Sequence, residues 1–287
     1  MSLSIRTVLP NISPIAMLSS LPACASSYCP HPATLWQRWW SRKGGVWFQD
    51  QWYCSVGCFH AGLVRRLQRA TVAEVRLPAQ PNRLPLGLVL LSQGDISSAQ
   101  LRRALELQKK TKSGRVGEWL VRMGAVSEQQ VTAALAVQQR CPVFSGAPRP
   151  VPQEMHWPRS LADRYRALPV FFNPIHLCLY VGFLEQVDHG FLYSLEQMLR
   201  CRTQPCILPM REYVRCLQLW DMDEQGESIE IAQRQDPFEM AQTICNYAQQ
   251  TQCERCLSTF CEGRMWIRLQ SAGSKHLDLL LARPATC

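Results

Sequence analysis

Residues 85–108 (PLGLVLLSQGDISSAQLRRALELQ) and 115–138 (RVGEWLVRMGAVSEQQVTAALAVQ) are two copies of one 24-residue pattern, six residues apart. Leu86 matches Val116, Gly87 matches Gly117, Leu90 matches Leu120, and Gly94 matches Gly124. Further along, Ile96 matches Val126, Leu101 matches Val131, Leu105 matches Leu135, and Gln108 matches Gln138. Leu86 and Leu90 stand one helical turn apart, and Gly94 follows where a helix end wants a left-handed residue. Ser97 with Gln100, and Ser127 with Gln130, spell a capping box that opens a second helix. In that helix Leu101, Leu105 and Gln108 fall on one face at i, i+4 and i+7. Each copy therefore predicts a hairpin of two short helices. A single copy is too small to bury its own apolar face, so the two must cover each other.

The whole chain has 287 residues, enough for two or three small domains with cores of their own. No uninterrupted apolar run is long enough for a bilayer-spanning helix. The net charge of +9 is uneven. Residues 1–76 carry 8 basic against 2 acidic side chains and residues 83–140 carry 9 against 4, so the first half holds the entire excess. An anionic partner should meet that half, although a solvated basic surface would look the same in sequence. Fourteen cysteines are scattered, mostly singly, through apolar segments, as Cys178, Cys201, Cys206 and Cys216 are. That pattern fits buried thiols in a reducing cytoplasm better than a disulfide framework.

Residues 1–20 read as a disordered leader. A lipoprotein-like signal before Cys24 is the competing reading, and Pro10, Asn11 and Pro14 break the continuous apolar stretch it would need. Over residues 21–76, Cys24-x4-Cys29 precedes a hairpin-like VWFQDQWY, and Cys54-x3-Cys58 then opens a helix. A thiol pair on a loop, a hairpin and a second pair at a helix start is the layout of a treble-clef zinc knuckle. Cys24, Cys29, Cys54 and Cys58 are its expected ligands, and four thiolates would close the coordination sphere and make the zinc structural. His31 or His60 could replace one thiolate, and four free thiols are the plain alternative. Trp36, Trp39, Trp40, Arg42 and Lys43 interleave aromatic and basic groups as a nucleic-acid surface would, though Trp in a small zinc module is more often core.

The tandem pattern resembles RLGxxLVxxGxIxxxxLxxxLxxQ, the doubled motif of the N-terminal domain of type II secretion and type IV pilus assembly ATPases of the GspE and MshE kind. The resemblance spans about residues 83–219, since SLADRYRALPVFF and LCLYVGF are similar to the α/β subdomain that follows the motif there. It implies a helical domain over 83–145 and an α/β subdomain over 155–220, with strands near 167–172, 176–182 and 204–208. Helices are expected near 189–200 and 210–219. In several members of that family the motif pair binds cyclic di-GMP. The resemblance carries this role to Arg115, Val116, Gly117, Leu120, Gly124, Val126 and Gln138, and to Leu86, Gly87, Leu90, Gly94, Ile96 and Gln108. An arginine fork suits a guanine edge or a phosphate, and a glycine lets a ligand approach backbone. The first copy departs where Pro85 stands in place of the arginine. Arg83 lies two residues earlier, behind a rigid proline. Losing one bidentate charged contact costs about 1.5–3 kcal/mol.

Residues 221–236 are polar and acidic and read as an exposed connection. Over 237–287 a helix (PFEMAQTICNYAQQTQC) precedes a hairpin of MWIRLQ and KHLDLLLA. Cys245, Cys253, Cys256 and Cys261 cross these elements at spacings that favour unliganded thiols. No phosphate loop, HExxH or GxSxG motif occurs anywhere in the sequence, so no ATP hydrolysis is expected of it. The expectation is an α+β, non-enzymatic bacterial regulatory protein. It would sense cyclic di-GMP or dock to secretion or pilus machinery. A degenerate protein–protein scaffold and a zinc-containing DNA-binding regulator are the rival readings.

Overall fold

The computed structural model describes residues 23–30, 45–72, 83–222, 227–231, 236–261, 263–272 and 275–282. The expected leader, His31, the Trp36–Lys43 cluster and Cys287 lie outside them. The chain divides into two compact units, one from Met1–Ala73, Gln235–Cys256 and Pro284–Cys287, the other from Glu74–Arg234 and Leu257–Arg283. No described helix is long and apolar enough to cross a membrane.

In the first unit, β1 (Val46–Phe48) and β2 (Gln51–Tyr53) form an antiparallel hairpin. Its two turn residues, Gln49 and Asp50, have φ of 49° and 62°, the left-handed pair of a type I′ turn that matches strand twist. Helix α1 (Val56–Val72) follows, and α9 (Pro237–Gln250) packs along it. Helix α9 starts cleanly because Asp236 accepts the N–H groups of Phe238 and Glu239 at 2.7 and 2.8 Å, with Pro237 in the first turn. Strand β7 (Arg255–Cys261) begins in this unit, with Arg255 and Cys256 pairing parallel to Trp47 and Phe48.

The second unit opens with four helices, α2 (Leu86–Ser92), α3 (Ser98–Thr111), α4 (Val116–Arg122) and α5 (Glu128–Gln139). After α6 (Arg159–Tyr165) come β3 (Ala167–Asn173), β4 (Cys178–Phe183), α7 (His189–Leu199), β5 (Arg202–Ile207) and α8 (Met210–Met222). The sheet order is β3-β4-β5, antiparallel then parallel, and α7 makes the crossover that a parallel pair needs. These elements lie within a few residues of the sequence expectation. From Leu257 onward β7 joins β8 (Arg264–Gln270), β9 (His276–Ala282) and β6 (Glu227–Ile231) in the order β7-β8-β9-β6. The acidic stretch read as a connection therefore contains a strand, β6, paired parallel to β9. Its five residues are too few, and too polar on one face, to stand out as a strand in sequence.

Both faces of β8 are buried from Met265 through Leu269. One of those buried side chains is charged. Arg268 donates through Nε to Asp278 at 2.9 Å and through its terminal nitrogens to Asp278 at 2.7 Å and to the carbonyls of Glu154 and His156. Trp266 Nε1 donates to the same carboxylate at 2.9 Å. A buried ion pair holds only when its remaining polar positions are filled, and here backbone carbonyls and an indole fill them.

Candidate functional site

The doubled motif folds by exchange. Helix α2 of the first copy packs on α5 of the second, and α3 of the first packs on α4 of the second. Ser97 and Ser127 form complete capping boxes with Gln100 and Gln130. Gly94 and Gly124 adopt φ of 78° and 67° at the ends of α2 and α4. Just beyond them the N–H groups of Asp95 and Ala125 return to the carbonyls of Leu90 and Leu120 at 3.0 and 2.9 Å, closing each helix end. The two motif-ending glutamines act reciprocally. Gln108 donates to the carbonyl of Gly114, just before the second copy, and Gln138 donates to the carbonyl of Leu84, just before the first. Each copy thus clasps the opening of the other.

Most motif positions are interior. Leu90, Leu120, Ile96 and Val126 belong to the buried core between the four helices, with Leu86 and Val116 against its margin. Gly87 and Gly117 are buried where a Cβ would press on neighbouring side chains. A Cβ on Gly87 would lie 2.5 Å from Leu101, and one on Gly117 would lie 3.1 Å from Val131 and 3.2 Å from Leu86. Their close approach is to neighbouring side chains. Gly94 and Gly124 are exposed, and Gln108 and Gln138 half-buried.

Arg115 differs from these. It is the first residue of the second copy, its side chain is 60% exposed, and its guanidinium pairs with Glu185. Arg166 binds the other oxygen of that carboxylate at 2.8 Å. Glu185 sits in the turn after β4 and was not singled out from the sequence, where nothing links it to a motif seventy residues away. At the matching place in the first copy, Pro85 precedes α2 with no side-chain cap. Arg83 turns inward to Gln139 and donates to the Val187 carbonyl at 3.2 Å. Gln139 in turn accepts the Val187 N–H. Arg83 therefore ties the helical repeat to the α/β subdomain and leaves the motif's opening position without a cation.

The second assembly is in the first unit. The Sγ atoms of Cys24, Cys29, Cys54 and Cys58 all lie within 4.8 Å of one another. Cys29 and Cys54 are 3.4 Å apart, and Cys54 and Cys58 are 3.9 Å apart. Four sulfurs about 2.3 Å from one zinc would stand roughly 3.8 Å from each other, so the spacing suits a tetrahedral ion. Three local devices hold the set. The Ala25 N–H donates to Trp52 at 2.8 Å and fastens the loop to β2. The Cys29 N–H closes a turn on Ser26. Ser55 accepts the Cys58 N–H at the start of α1. Burial opposes a thiolate at Cys24, but N–H groups of Cys54 and Ser26 and the thiols of Cys54 and Cys58 outweigh it and bring its pKa below the usual value. Burial raises Cys54 and Cys58. His60 lies elsewhere, its ring edge-on to Phe238 at 4.6 Å.

No disulfide joins any two of the described cysteines. Cys245, Cys253 and Cys256 are buried in the first unit and Cys261 in the second. Among the described residues the only group of metal-ligating side chains brought together is the amino-terminal four.

No family model and no curated protein matches the chain. Solved structures similar to it include one of MshE with cdg, at 29% identity and a TM-score of 0.38, covering 46% of this chain and 96% of that one. Two crystal forms of the N-terminal domain of XpsE are also similar. One is 14% identical with a TM-score of 0.32, covering 47% of this chain and 92% of that one. The other is 18% identical with a TM-score of 0.29, covering 46% and 90%.

Proposed function

We propose that this chain is a non-enzymatic binding protein whose helical repeat takes cyclic di-GMP or docks to secretion- or pilus-type machinery, and whose amino-terminal cysteines hold a structural zinc. The observation that carries the ligand reading is Arg115. It is the only charged side chain among the motif positions that the resemblance names, it is largely exposed, and a carboxylate, Glu185, engages it. A phosphate or guanine edge offers the same fork a bidentate partner and would compete with that carboxylate. Half-buried Val116 and Gln138 lie in the same copy.

Calorimetric titration of cyclic di-GMP into the purified chain tests this, with Arg115→Ala as control. Saturable binding that the variant weakens by one to two decades is expected. A folded protein that takes up no nucleotide at high concentration would overturn it. The docking reading then stands, favoured by Pro85 and by the inward turn of Arg83, which leave the opening position of the first copy with no cation for a ligand.

For the metal, the support is the donor set and its spacing: four thiols from a loop, a strand end and a helix start, converging within one coordination sphere. Zinc bound there would be closed to substrate and would join the loop, the hairpin and α1. One equivalent of zinc per chain, lost in Cys24→Ser/Cys54→Ser, is the expected result. A metal-free wild type with full thermal stability would exclude it.

A further inference from the structure

The two copies of the motif present the same helix face to different surroundings. On α5, Ala136 belongs to the buried core shared with the α/β subdomain, Leu135 packs against it, and Gln139 is buried on Val187 and Arg83. The positions thirty residues earlier on α3 are Leu105, Glu106 and Lys109, and all three are exposed. Around them the exposed side chains are Arg102, Arg103, Lys110 and Lys112. At about 100° per residue Arg102, Lys109 and Lys112 fall within about 60° of Leu105 around the helix, while Arg103 and Lys110 fall on another side. Glu106 is the only acid among them. None of these five cations makes a salt bridge or a side-chain hydrogen bond among the described residues.

The fold does not need this charge. The residues of the second copy that match Arg102, Lys109 and Lys112 are Thr132, Gln139 and Pro142, and that copy forms the same two helices with the same capping box. Lys109 and Lys110 gain a little from the carboxyl end of the helix dipole, but Arg102 and Arg103, in the second turn, gain nothing. Leu105 sits among them 47% exposed, three residues after Arg102 and four before Lys109. A polyanion backbone has no use for that leucine. The two glutamines of the helix, the side chains suited to an adenine edge, are spent elsewhere, Gln100 in the capping box and Gln108 on Gly114.

We propose that the outward face of α3 docks on an anionic phospholipid bilayer, with Leu105 entering the headgroup boundary and Arg102, Lys109 and Lys112 meeting lipid phosphates and carboxylates. The helix and its cap span about 20 Å, and the long cationic side chains reach sideways while the leucine points down. The attraction belongs to the exposed surface and is screened by salt.

The test is co-sedimentation of the full chain with vesicles of phosphatidylcholine alone and of phosphatidylcholine with 30% phosphatidylglycerol. Expected is binding to the anionic vesicles only, lost as salt rises. Replacing Arg102, Lys109 and Lys112 by Gln should weaken it by about a hundredfold, and Leu105→Ala by roughly tenfold. A control variant with exposed Arg202, Arg211 and Lys275 changed to Gln loses the same charge and should bind within a few-fold of wild type. Circular dichroism confirms that each variant is folded. Absent binding, equal binding to neutral vesicles, equal loss in the control variant, or indifference to Leu105→Ala would each overturn the bilayer assignment. So would capture of the chain by short duplex DNA through the same three cations without vesicle binding.

Discussion

At Gly62, in the middle of α1, intrinsic propensity and packing point in opposite directions. Alanine in a helix interior is ordinarily worth about 1 kcal/mol over glycine. Here a Cβ would lie 2.6 Å from the ring of Tyr53. That ring is held in turn by Phe48 and Phe59, both 6.3 Å away between centroids. Gly62→Ala is therefore expected to destabilise by about 1–3 kcal/mol in urea unfolding, and a stabilised variant would show that the ring yields. The buried thiols give a second residue-level effect. Burial raises Cys206 and Cys245 to about 12, and Cys141, Cys201 and Cys216 to about 11. In the unfolded chain a thiol titrates near ~8.5. Above that pH the unfolded state sheds protons that the folded state keeps, so stability is full below it and falls as pH rises toward 11. The slope approaches about 1.4 kcal/mol per pH unit for each such thiol. Denaturant midpoints that hold level from pH 8 to 10 would contradict the burial of these groups. Arg115 was legible as a binding candidate because its residue type and place in the motif are sequence properties. Its engagement by Glu185 was not, because no local pattern connects the two.

Between elements, the exchange of helices gives the repeat its cohesion. Gln108 and Gln138 each cross to the backbone that opens the other copy, at 2.9 and 2.6 Å. Gln108→Ala and Gln138→Ala should each cost about 0.5–1.5 kcal/mol, measured by thermal or denaturant unfolding. The double variant should lose close to the sum, since the clasps sit at different ends of the repeat. A zero effect for both would mean that the core of Leu90, Leu120, Ile96 and Val126 holds the copies together unaided. Capping boxes, glycine stops and helix lengths were readable because they depend on residues within one turn. Which helix packs on which was not, since 3.6-residue periodicity marks an apolar face and says nothing of what covers it. The same limit hid β6 and β7. Glu227–Ile231 is polar enough to pass for a linker, and Arg255–Cys261 (RCLSTFC) carries no turn signal to mark it off from the helix before it.

At the scale of the molecule, the chain visits its first compact unit twice, so residues 236–256 complete what residues 23–72 begin. If zinc holds Cys24, Cys29, Cys54 and Cys58, chelation should speed hydrogen exchange across β1, β2 and α1, and in α9, which packs on α1. Exchange in β3, β4 and β5 should be unchanged. Uniform protection before and after chelation would count against a structural metal. In the second unit, Arg268 and Asp278 join β8 and β9 to the carbonyls of Glu154 and His156, more than a hundred residues earlier. The sequence by itself determined the repeat, its caps, the two half-sites of cysteines, the absence of any nucleotide-hydrolysing motif and the uneven charge. Each of these is a matter of residue type at short spacing, where local sterics and hydrogen bonding decide. Only the tertiary structure decided that the four thiols converge and that most motif residues are core. It alone turned Arg83 inward while Arg115 stayed outward, and left the basic face of α3 open while the same face of α5 is covered. Those outcomes depend on which distant surfaces bury one another, and burial is a property of the packed chain.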